Sequence, residues 1–212
     1  MIKEASNHRV YSIDECVVFA KTDEHFGGLS NMAPGYPLYV NDNVIPSAEA
    51  LYQSLRYPLF PNIQFEIIAQ TSPMTAKMIS KKNYPFSRQD WDEIRTKVMR
   101  WCLEVKLSQH WNKFSALLKE TGNKPIVEYS RKDTIWGATK ISDKQLGGTN
   151  ALGRLLMELR EKYVHNGGKL VCVEPLDITG CLLFGYPIET VCNEEFYVNN
   201  PDFQAVEFLD LK

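Results

Sequence analysis

The chain lacks the long apolar run that a membrane-spanning helix requires, although 44% of its 212 residues are hydrophobic. No apolar signal core follows Met1, and Glu4 places an acid early in the chain. Internal repeats and low-complexity segments are also absent, which argues against a solenoid and against a disordered chain. These absences predict a globular, cytoplasmic protein without a membrane partner.

Patterns for metal binding and for disulfides are equally absent. The five cysteines are odd in number, widely spaced and form no CxxC pair, which argues against a disulfide framework and against a zinc site. We therefore expect buried, reduced thiols. None of the four histidines lies at metal-ligand spacing from another ligand residue, so we expect no transition metal and no cofactor.

Charge is unevenly distributed along the chain. Residues 164–212 carry eight acidic and two basic side chains, whereas residues 1–163 carry 18 acidic and 22 basic ones. A mildly basic body suits a ligand that bears phosphate, but it is far from the strongly basic surface of a dedicated DNA-binding protein. Ordinary surface charge explains the same numbers at least as well.

Hydrophobic periodicity and turn signals predict a helix-rich α+β fold. Helices are expected at 47–57, 62–70, from 72, from 87 or 90 to 107, at 113–119 and from 149 or 150 to 163. Strands are expected at 16–20 and 125–129, with a hairpin around 41–43. Beyond the break at 166–168, strands are expected at 170–173, 181–184, 196–198 and 205–208. We thus predict a catalytic domain of residues 1–163 and a strand-rich acidic extension, 164–212, packed on or beside it.

Two segments carry polar residues in patterns that suit a site. The first predicted helix places Glu49, Gln53 and Arg56 on one face, although such a stripe is more often a solvated helix face. Gly148 and Asn150 precede another predicted helix, whose free backbone N–H groups would favour a phosphate. Most Gly–Gly pairs before a helix are only tight turns.

Several motifs, taken in chain order, resemble those of the NADAR (YbiA-like) family. They are Phe26-Gly27-Gly28-Leu29-Ser30-Asn31, Ile45-Pro46-Ser47-Ala48-Glu49-Ala50-Leu51-Tyr52-Gln53, Asp90-Trp91, Asp133 with Trp136-Gly137, and Gly148-Thr149-Asn150-Ala151-Leu152-Gly153. The ordered set runs from about Phe19 to Arg160, and it is hard to obtain by chance.

The resemblance implies a YbiA-like single domain and an N-glycosidase activity. Some family members hydrolyse ribosylamino-pyrimidine phosphates of riboflavin synthesis, and others remove ADP-ribose from guanine in nucleic acid. We expect the second substrate, ADP-ribosylated guanine in DNA, because of the basic body, the arginines and the extension. The alternatives are the riboflavin-intermediate glycosidase and a non-catalytic module that binds ADP-ribose or NAD. Monomer and dimer both remain open.

The resemblance also suggests roles for individual residues. Glu49 is expected to be the main acid/base residue, and Asp133 the second carboxylate, which orients water or the ribose hydroxyls. Arg56 stands where many relatives have a lysine that can form a Schiff base, whereas arginine stays protonated. If a lysine serves, Lys77 and Lys106 are the candidates. The residues expected to bind substrate are Ser30, Asn31, Gln53, Arg56, Trp91, Arg95, Trp136, Gly148 and Asn150.

Overall fold

The structure, a computed structural model, describes residues 8–200 and divides into two compact units. One unit comprises the chain up to Gly35 together with Asn112–Gly168, and the other comprises Tyr36–Trp111 together with the chain from Lys169 onward. Both units contain helices and short strands, which confirms the predicted helix-rich α+β class. Within residues 8–200, no helix is long and apolar enough to cross a bilayer.

The regular elements follow one another closely along the chain. The strands are β1 (Arg9–Ser12), β2 (Val17–Phe19), β3 (Leu38–Val40), β4 (Asn43–Ile45), β5 (Ile126–Glu128), β6 (Thr139–Ser142), β7 (Gln145–Gly148), β8 (Cys172–Val173), β9 (Leu182–Leu183), β10 (Tyr186–Pro187) and β11 (Val191–Cys192). The helices are α1 (Ala48–Ser54), α2 (Pro61–Ile68), α3 (Pro73–Lys82), α4 (Trp91–Gln109), α5 (Trp111–Glu120), α6 (Ala151–Leu159) and α7 (Glu194–Asn199).

The first unit is organised around two small sheets. Strand β7 pairs antiparallel with both β1 and β6, and β2 pairs in parallel with β5. Helix α6 packs on β5 and continues into a π-helix at Arg160–His165. Tyr11, Val127, Ala138 and Leu146 form a buried apolar cluster beside the three-stranded sheet.

The second unit is a helical layer with hairpins. Helices α1, α2 and α3 pack against one another, and α1 also packs on α4. In the β3–β4 hairpin, Asn41 and Asp42 adopt φ values of 46° and 58°, a left-handed turn that these two residue types tolerate. Helix α4 buries an apolar side at helical spacing, which includes Val98, Cys102 and Val105.

Residues 169–200 are fastened to helices of the second unit by hydrogen bonds. The Trp101 indole N–H donates to the carbonyl of Glu174 (2.8 Å), and the Ser108 hydroxyl donates to the carbonyl of Val171 (2.7 Å). The Gln64 amide of α2 donates to Leu182 (2.9 Å) and accepts from the N–H of Phe184 (2.7 Å). Because both ends of this amide are used, the β9–β10 hairpin has a fixed position on α2.

The prediction that all cysteines are reduced is wrong for two of the five. Strand β8 pairs antiparallel with β11 and places Cys172 opposite Cys192, where the two side chains form a disulfide. Cys16, Cys102 and Cys181 are free thiols. Sequence spacing gave no sign of this bond because a sheet register, and not a local motif, brings the two residues together.

The predicted strand at 196–198 is also wrong, because these residues belong to α7. The Asn193 side chain accepts from the N–H of Phe196 (3.1 Å), and Glu194 and Glu195 occupy the first turn. An asparagine cap followed by two acids stabilises a helix start, and this signal outweighs the β propensity of the apolar run. The strand predicted at 205–208 lies outside the described residues.

Removing the disulfide is expected to destabilise the protein. The two cysteines lie 20 residues apart, and closing a loop of that size lowers the entropy of the unfolded chain, so the loss is about 3 kcal/mol in the free energy of unfolding. Denaturant unfolding of the Cys172→Ser/Cys192→Ser variant measures it, with Cys16→Ser as the control. Identical unfolding of the wild-type protein with and without reductant would contradict the bond.

Candidate functional site

Glu49 lies in the first turn of α1, and its position follows from how that helix begins. The Ser47 side chain accepts from the N–H of Ala50 (3.2 Å) and caps the helix. Every residue of α1 is buried, and Glu49 is only 2% exposed. Near a helix N-terminus, the helix dipole stabilises the negative charge of a carboxylate. The cap thus places one buried acid at the positive end of the helix dipole.

A chain of hydrogen bonds fixes the Glu49 carboxylate. The Gln53 amide donates to Glu49 Oε1 (2.8 Å), and the Ser80 hydroxyl donates to Gln53 Oε1 (2.5 Å). The Tyr57 hydroxyl in turn donates to the carbonyl of Ser80 (2.5 Å). Because Ser80 belongs to α3, this series of hydrogen bonds connects the acid on α1 to a second helix. Buried polar groups that are all bonded in this way hold a single geometry.

Two neutral groups lie close to Glu49 on α1 and α4. Burial, reinforced by the charge of Glu49, holds the pKa of Tyr52 far above its usual value, and Arg56 and Arg95 oppose this only in part. Burial likewise raises the pKa of the Cys102 thiol, with smaller effects of Cys181 and Glu49. Tyr52 and Cys102 therefore stay protonated at physiological pH.

Arg56 is enclosed by aromatic rings just beyond α1. Its guanidinium carbon lies 4.4 Å from the centroid of Tyr84 and 4.7 Å from that of Trp91. The rings of Tyr52 and Trp91 are 5.0 Å apart and close the same cage. The predicted helix to residue 57 ends earlier, at Ser54, so Arg56 occupies a turn after the helix.

The cage contains hydrogen-bond donors that no described residue satisfies. Arg56 Nε and the indole N–H of Trp91 are both buried without an acceptor, and Trp91 is only 4% exposed. Between residues 8 and 200, no carboxylate forms an ion pair with Arg56. A half-buried cation without a counter-charge, beside an orphaned donor, is unfavourable in a folded protein unless a ligand completes it.

Further basic groups lie along α4. Trp91, Arg95, Cys102 and Lys106 follow one another at helical spacing and share a face of this helix. Arg95 Nε is 3.8 Å from the exposed carboxylate of Asp92, a weak contact. Lys106 is 1% exposed, and its ammonium lies 4.1 Å from the centroid of the Tyr36 ring. Lys77, the other candidate lysine, is exposed on α3.

The remaining predicted site residues belong to the first unit. Ser30 and Asn31 are both buried, and the Ser30 hydroxyl accepts from the N–H of Met32 (3.1 Å). Asp133 Oδ1 accepts from the N–H groups of Ile135 (2.8 Å) and Trp136 (2.9 Å). Asp133 therefore shapes the loop that carries Trp136. The convergence of Glu49 and Asp133 on one substrate stays a prediction.

The expectation of free N–H groups at the start of α6 is wrong. The four N–H groups of residues 149–152 donate to the four carbonyls of residues 134–137 at distances from 2.7 to 3.1 Å. A Cβ on Gly148 would lie 2.5 Å from the carbonyl oxygen of Gly137, so a glycine is needed where the loop crosses. The helix start anchors the loop of Asp133 instead of presenting an open phosphate site.

Asn150 has a structural task at the same place. It adopts φ 50° at the N-cap position without capping the helix through its side chain. Its amide oxygen accepts from the N–H of Glu128 (3.0 Å), and its amide nitrogen donates to the carbonyl of Ile126 (2.8 Å). Asn150 is fully buried. Its side chain makes two hydrogen bonds to the backbone of β5, as a neighbouring strand would. This structural role explains why an asparagine stands here without invoking a ligand.

Sequence reasoning missed several members of the site. Ser80, Tyr57, Tyr84 and Cys102 surround the predicted acid and arginine, yet none stands in a recognisable pattern with them. Only the packing of α3 and α4 on α1 brings them there. Among residues 8–200, no group of three or more His, Cys, Asp or Glu side chains is arranged to hold a metal ion.

Comparison with known proteins gives a consistent family match. Residues 18–163 match the model described as the NADAR domain. The chain is 33% identical over 150 residues to N-glycosidase YbiA of Escherichia coli (strain K12), which covers 70% of this chain and 89% of that protein. The NMR structure of E. coli YbiA superposes with a TM-score of 0.59 at 31% identity and covers 69% of this chain and 84% of that one.

Two further relatives carry other names. One is the riboflavin biosynthesis protein VVA0006 of Vibrio vulnificus (strain YJ016), 31% identical over 151 residues, with 71% of this chain and 39% of that protein covered. The other is N-glycosidase Npun_R5314 of Nostoc punctiforme, 28% identical over 152 residues, with 69% of this chain and 91% of that protein covered.

Two replacements of Asn150 separate the effect of its side-chain hydrogen bonds from that of its left-handed backbone conformation. Asn150→Ala is expected to lower the free energy of unfolding by about 2–4 kcal/mol, because two buried backbone groups lose their partners and alanine disfavours the left-handed conformation. Asn150→Gly loses the same bonds but tolerates that conformation, so it should be about 1 kcal/mol more stable than the alanine variant. Denaturant unfolding compares them, and a wild-type midpoint for both variants would refute the assignment.

Proposed function

The chain belongs to the NADAR family and is an enzyme of the N-glycosidase class, and we propose that it removes ADP-ribose from guanine bases of nucleic acid. The reaction hydrolyses the C–N bond between C1 of the ribose and the exocyclic amine of guanine. Water adds to the sugar carbon, and the leaving nitrogen takes a proton.

The chemistry needs one well-placed carboxyl group above all. Cleavage of a ribosyl C–N bond develops positive charge on the sugar and negative charge on the departing nitrogen. A buried carboxyl group can give the nitrogen its proton and then, as a carboxylate, stabilise the cationic sugar. Glu49 suits this role because Gln53 and Ser80 fix its orientation. Asp133 is proposed to orient the attacking water or the ribose hydroxyls.

The observation that carries the proposal is the unneutralised guanidinium of Arg56. Arginine binds phosphate oxygens through charge-assisted, often bidentate hydrogen bonds. Arg56 has no ion-pair partner among residues 8–200, and it lies beside the orphaned N–H of Trp91. Arg95 adds a second cation near Tyr52. Two arginines close to one acid suit the diphosphate of ADP-ribose better than a single phosphate.

Arg56 also bears on the type of mechanism. An arginine stays protonated and cannot form an imine with an opened ribose. We therefore propose direct acid–base hydrolysis at Glu49. Should a covalent intermediate form, Lys106 is a better candidate than Lys77, because Lys106 is buried on the face of α4 that also carries Trp91 and Arg95, whereas Lys77 is exposed to solvent.

The second candidate substrate is a ribosylamino-pyrimidine phosphate. Its support is the similarity to proteins named for riboflavin biosynthesis. It needs the same carboxyl group and one phosphate site. Incubation with an oligonucleotide that carries ADP-ribosylated guanine, followed by chromatography for free ADP-ribose, decides between the two. Release of ADP-ribose supports the proposal. Turnover of the pyrimidine phosphate alone contradicts it, and so does tight ADP-ribose binding without cleavage of any substrate.

Replacing the acid tests its role. Glu49→Gln is expected to keep the fold, because Gln53 can still donate to the new amide oxygen, and to lose at least about 10²-fold in kcat. The matched control is Glu66→Gln, since Glu66 is exposed on α2. Steady-state release of ADP-ribose is the measurement. Unaltered turnover in the Glu49 variant rules out Glu49 as the proton carrier.

Replacing the caged cation tests the phosphate site. Arg56→Met is expected to weaken ADP-ribose binding roughly tenfold to a hundredfold, as for the loss of a hydrogen bond to a charged group. Arg56→Lys should recover part of the affinity, because it keeps the charge but loses the planar fork. Calorimetric titration with ADP-ribose measures both, with exposed Lys119→Met as the control. Wild-type affinity in Arg56→Met would show that phosphate binds elsewhere.

A further inference from the structure

A surface of the second unit combines exposed apolar side chains with positive charge. Residues 55–90 hold five basic residues and two acids, Glu66 and Asp90, and Asp90 pairs with Arg88. The large side chains exposed in this stretch are Leu59, Phe60, Phe65, Met74, Met78, Tyr84 and Phe86. The basic ones outside the arginine cage are Lys77, Lys81, Lys82 and Arg88. We call this set the stacking face. Tyr84 also covers Arg56 in the cage and Lys77 is the alternative lysine, but the other members have no part in the catalytic chemistry described above.

Helix α3 gives the stacking face its regular part. Met74, Lys77, Met78 and Lys81 follow one another at i, i+3, i+4 and i+7, so they share the solvent side of the helix. The opposite side is buried through Ala76 and Ser80, and α3 packs on α1 and α2. Lys81 and Lys82 lie at the end of α3, directly before the turn that carries Tyr84 and Phe86.

A groove lies beside this turn. Its volume is about 580 Å³, and its apolar walls include Pro58, Leu59, Phe60, Pro85 and Phe86. The rings of Phe60 and Phe86 are 5.2 Å apart, edge to face, and the two residues are 37% and 50% exposed. This volume falls in the range of pockets that hold a planar organic group.

The polar wall of the groove is already rigid. The Arg88 guanidinium donates to both carboxylate oxygens of Asp90 (2.6 and 3.0 Å) and to the carbonyls of Thr179 (2.7 Å) and Gly180 (3.4 Å). With four of its N–H donors occupied, Arg88 shapes the groove and leaves recognition mainly to the apolar walls. Such a groove selects flat rings by stacking and discriminates little between them.

The groove and the arginine cage are neighbours along the chain and share a backbone hydrogen bond. The N–H of Arg88 donates to the carbonyl of Arg56 (3.0 Å). The Tyr84 ring covers the Arg56 guanidinium, and the next two residues line the groove. A polymer whose modified unit is bound at the cage would therefore have a neighbouring unit near the groove.

We propose that the stacking face binds single-stranded nucleic acid, with an unstacked base against Phe60 and Phe86 and the adjoining phosphates near Lys81 and Lys82. The inference rests on the proposed function only in making that strand the one that carries the substrate. Alternating aromatic and basic side chains next to a ring-sized groove are what strand binding without sequence preference requires. An anionic membrane would meet the same charges, but the rings of Phe60 and Phe86 wall a groove that suits a single flat ring.

Fluorescence anisotropy with a labelled, unmodified single-stranded oligonucleotide tests the proposal. Phe60→Ala/Phe86→Ala is expected to weaken binding roughly tenfold to a hundredfold, as for the loss of one stacked base. Lys81→Gln/Lys82→Gln should reduce the slope of log affinity against log salt by about 1.4, because each phosphate contact contributes about 0.7. Tyr186→Ala and Lys119→Gln are matched controls, since both residues are exposed outside the face.

Activity assays separate this inference from the proposed function. Both double variants should keep wild-type turnover on ADP-ribosylated guanosine, which has no neighbouring nucleotides, and should lose turnover on the modified oligonucleotide at low concentration. If no ADP-ribose is released from either substrate while strand binding still depends on the face, the proposed function fails and this inference stands. Wild-type strand binding by both double variants overturns the inference. So does face-dependent binding to phosphatidylserine vesicles without any strand binding.

Discussion

Burying the carboxylate of Glu49 is the constraint on which the rest of the site depends. A charge that is 2% exposed is tolerated only where hydrogen bonds and a helix dipole replace water. Ser47 sets the helix start, Gln53 bonds the carboxylate, and Ser80 bonds Gln53 from a second helix. The packing of α1 on α3 and α4 is therefore also the means by which one acid keeps its direction. Under the proposed function, this acid delivers a proton to the departing nitrogen.

The arginine cage contains a positive charge that no carboxylate among residues 8–200 neutralises. Tyr84 and Trp91 enclose Arg56 and supply cation–π contacts, but neither ring supplies a negative charge. The orphaned donors Arg56 Nε and Trp91 Nε1 mark the same position. The protein supplies hydrogen bonds to the Glu49 carboxylate but no counter-charge to Arg56. Glu49 is therefore proposed for the chemistry and Arg56 for ligand binding. The family relationship supplies the reaction class, and this division is the reason to expect a phosphate-rich substrate.

The sequence predicted most of the fold and part of the site. The helix start at Ser47, the buried stripe of α4 and the strand at β5 follow from caps and periodicity, which act over a few residues. Predictions failed where contacts between segments distant in the sequence determine the local structure. The Cys172–Cys192 bond depends on a sheet register, and the N–H groups of residues 149–152 are used by a loop that precedes them. Ser80 and Tyr84 enter the site only through tertiary packing, so no local pattern marked them. The apolar run at Phe196 was wrongly predicted as a strand, because the Asn193 cap stabilises a helix there.

The most direct test of the account is a crystal structure of Glu49→Gln with ADP-ribosylated guanosine bound. The account predicts that the side chain of residue 49 lies within hydrogen-bond distance of the exocyclic guanine nitrogen. It also predicts that a diphosphate oxygen accepts from the Arg56 guanidinium and that Asp133 contacts the ribose or its attacking water. A ligand bound with its glycosidic bond away from residue 49, or with its diphosphate in contact with neither Arg56 nor Arg95, would contradict it.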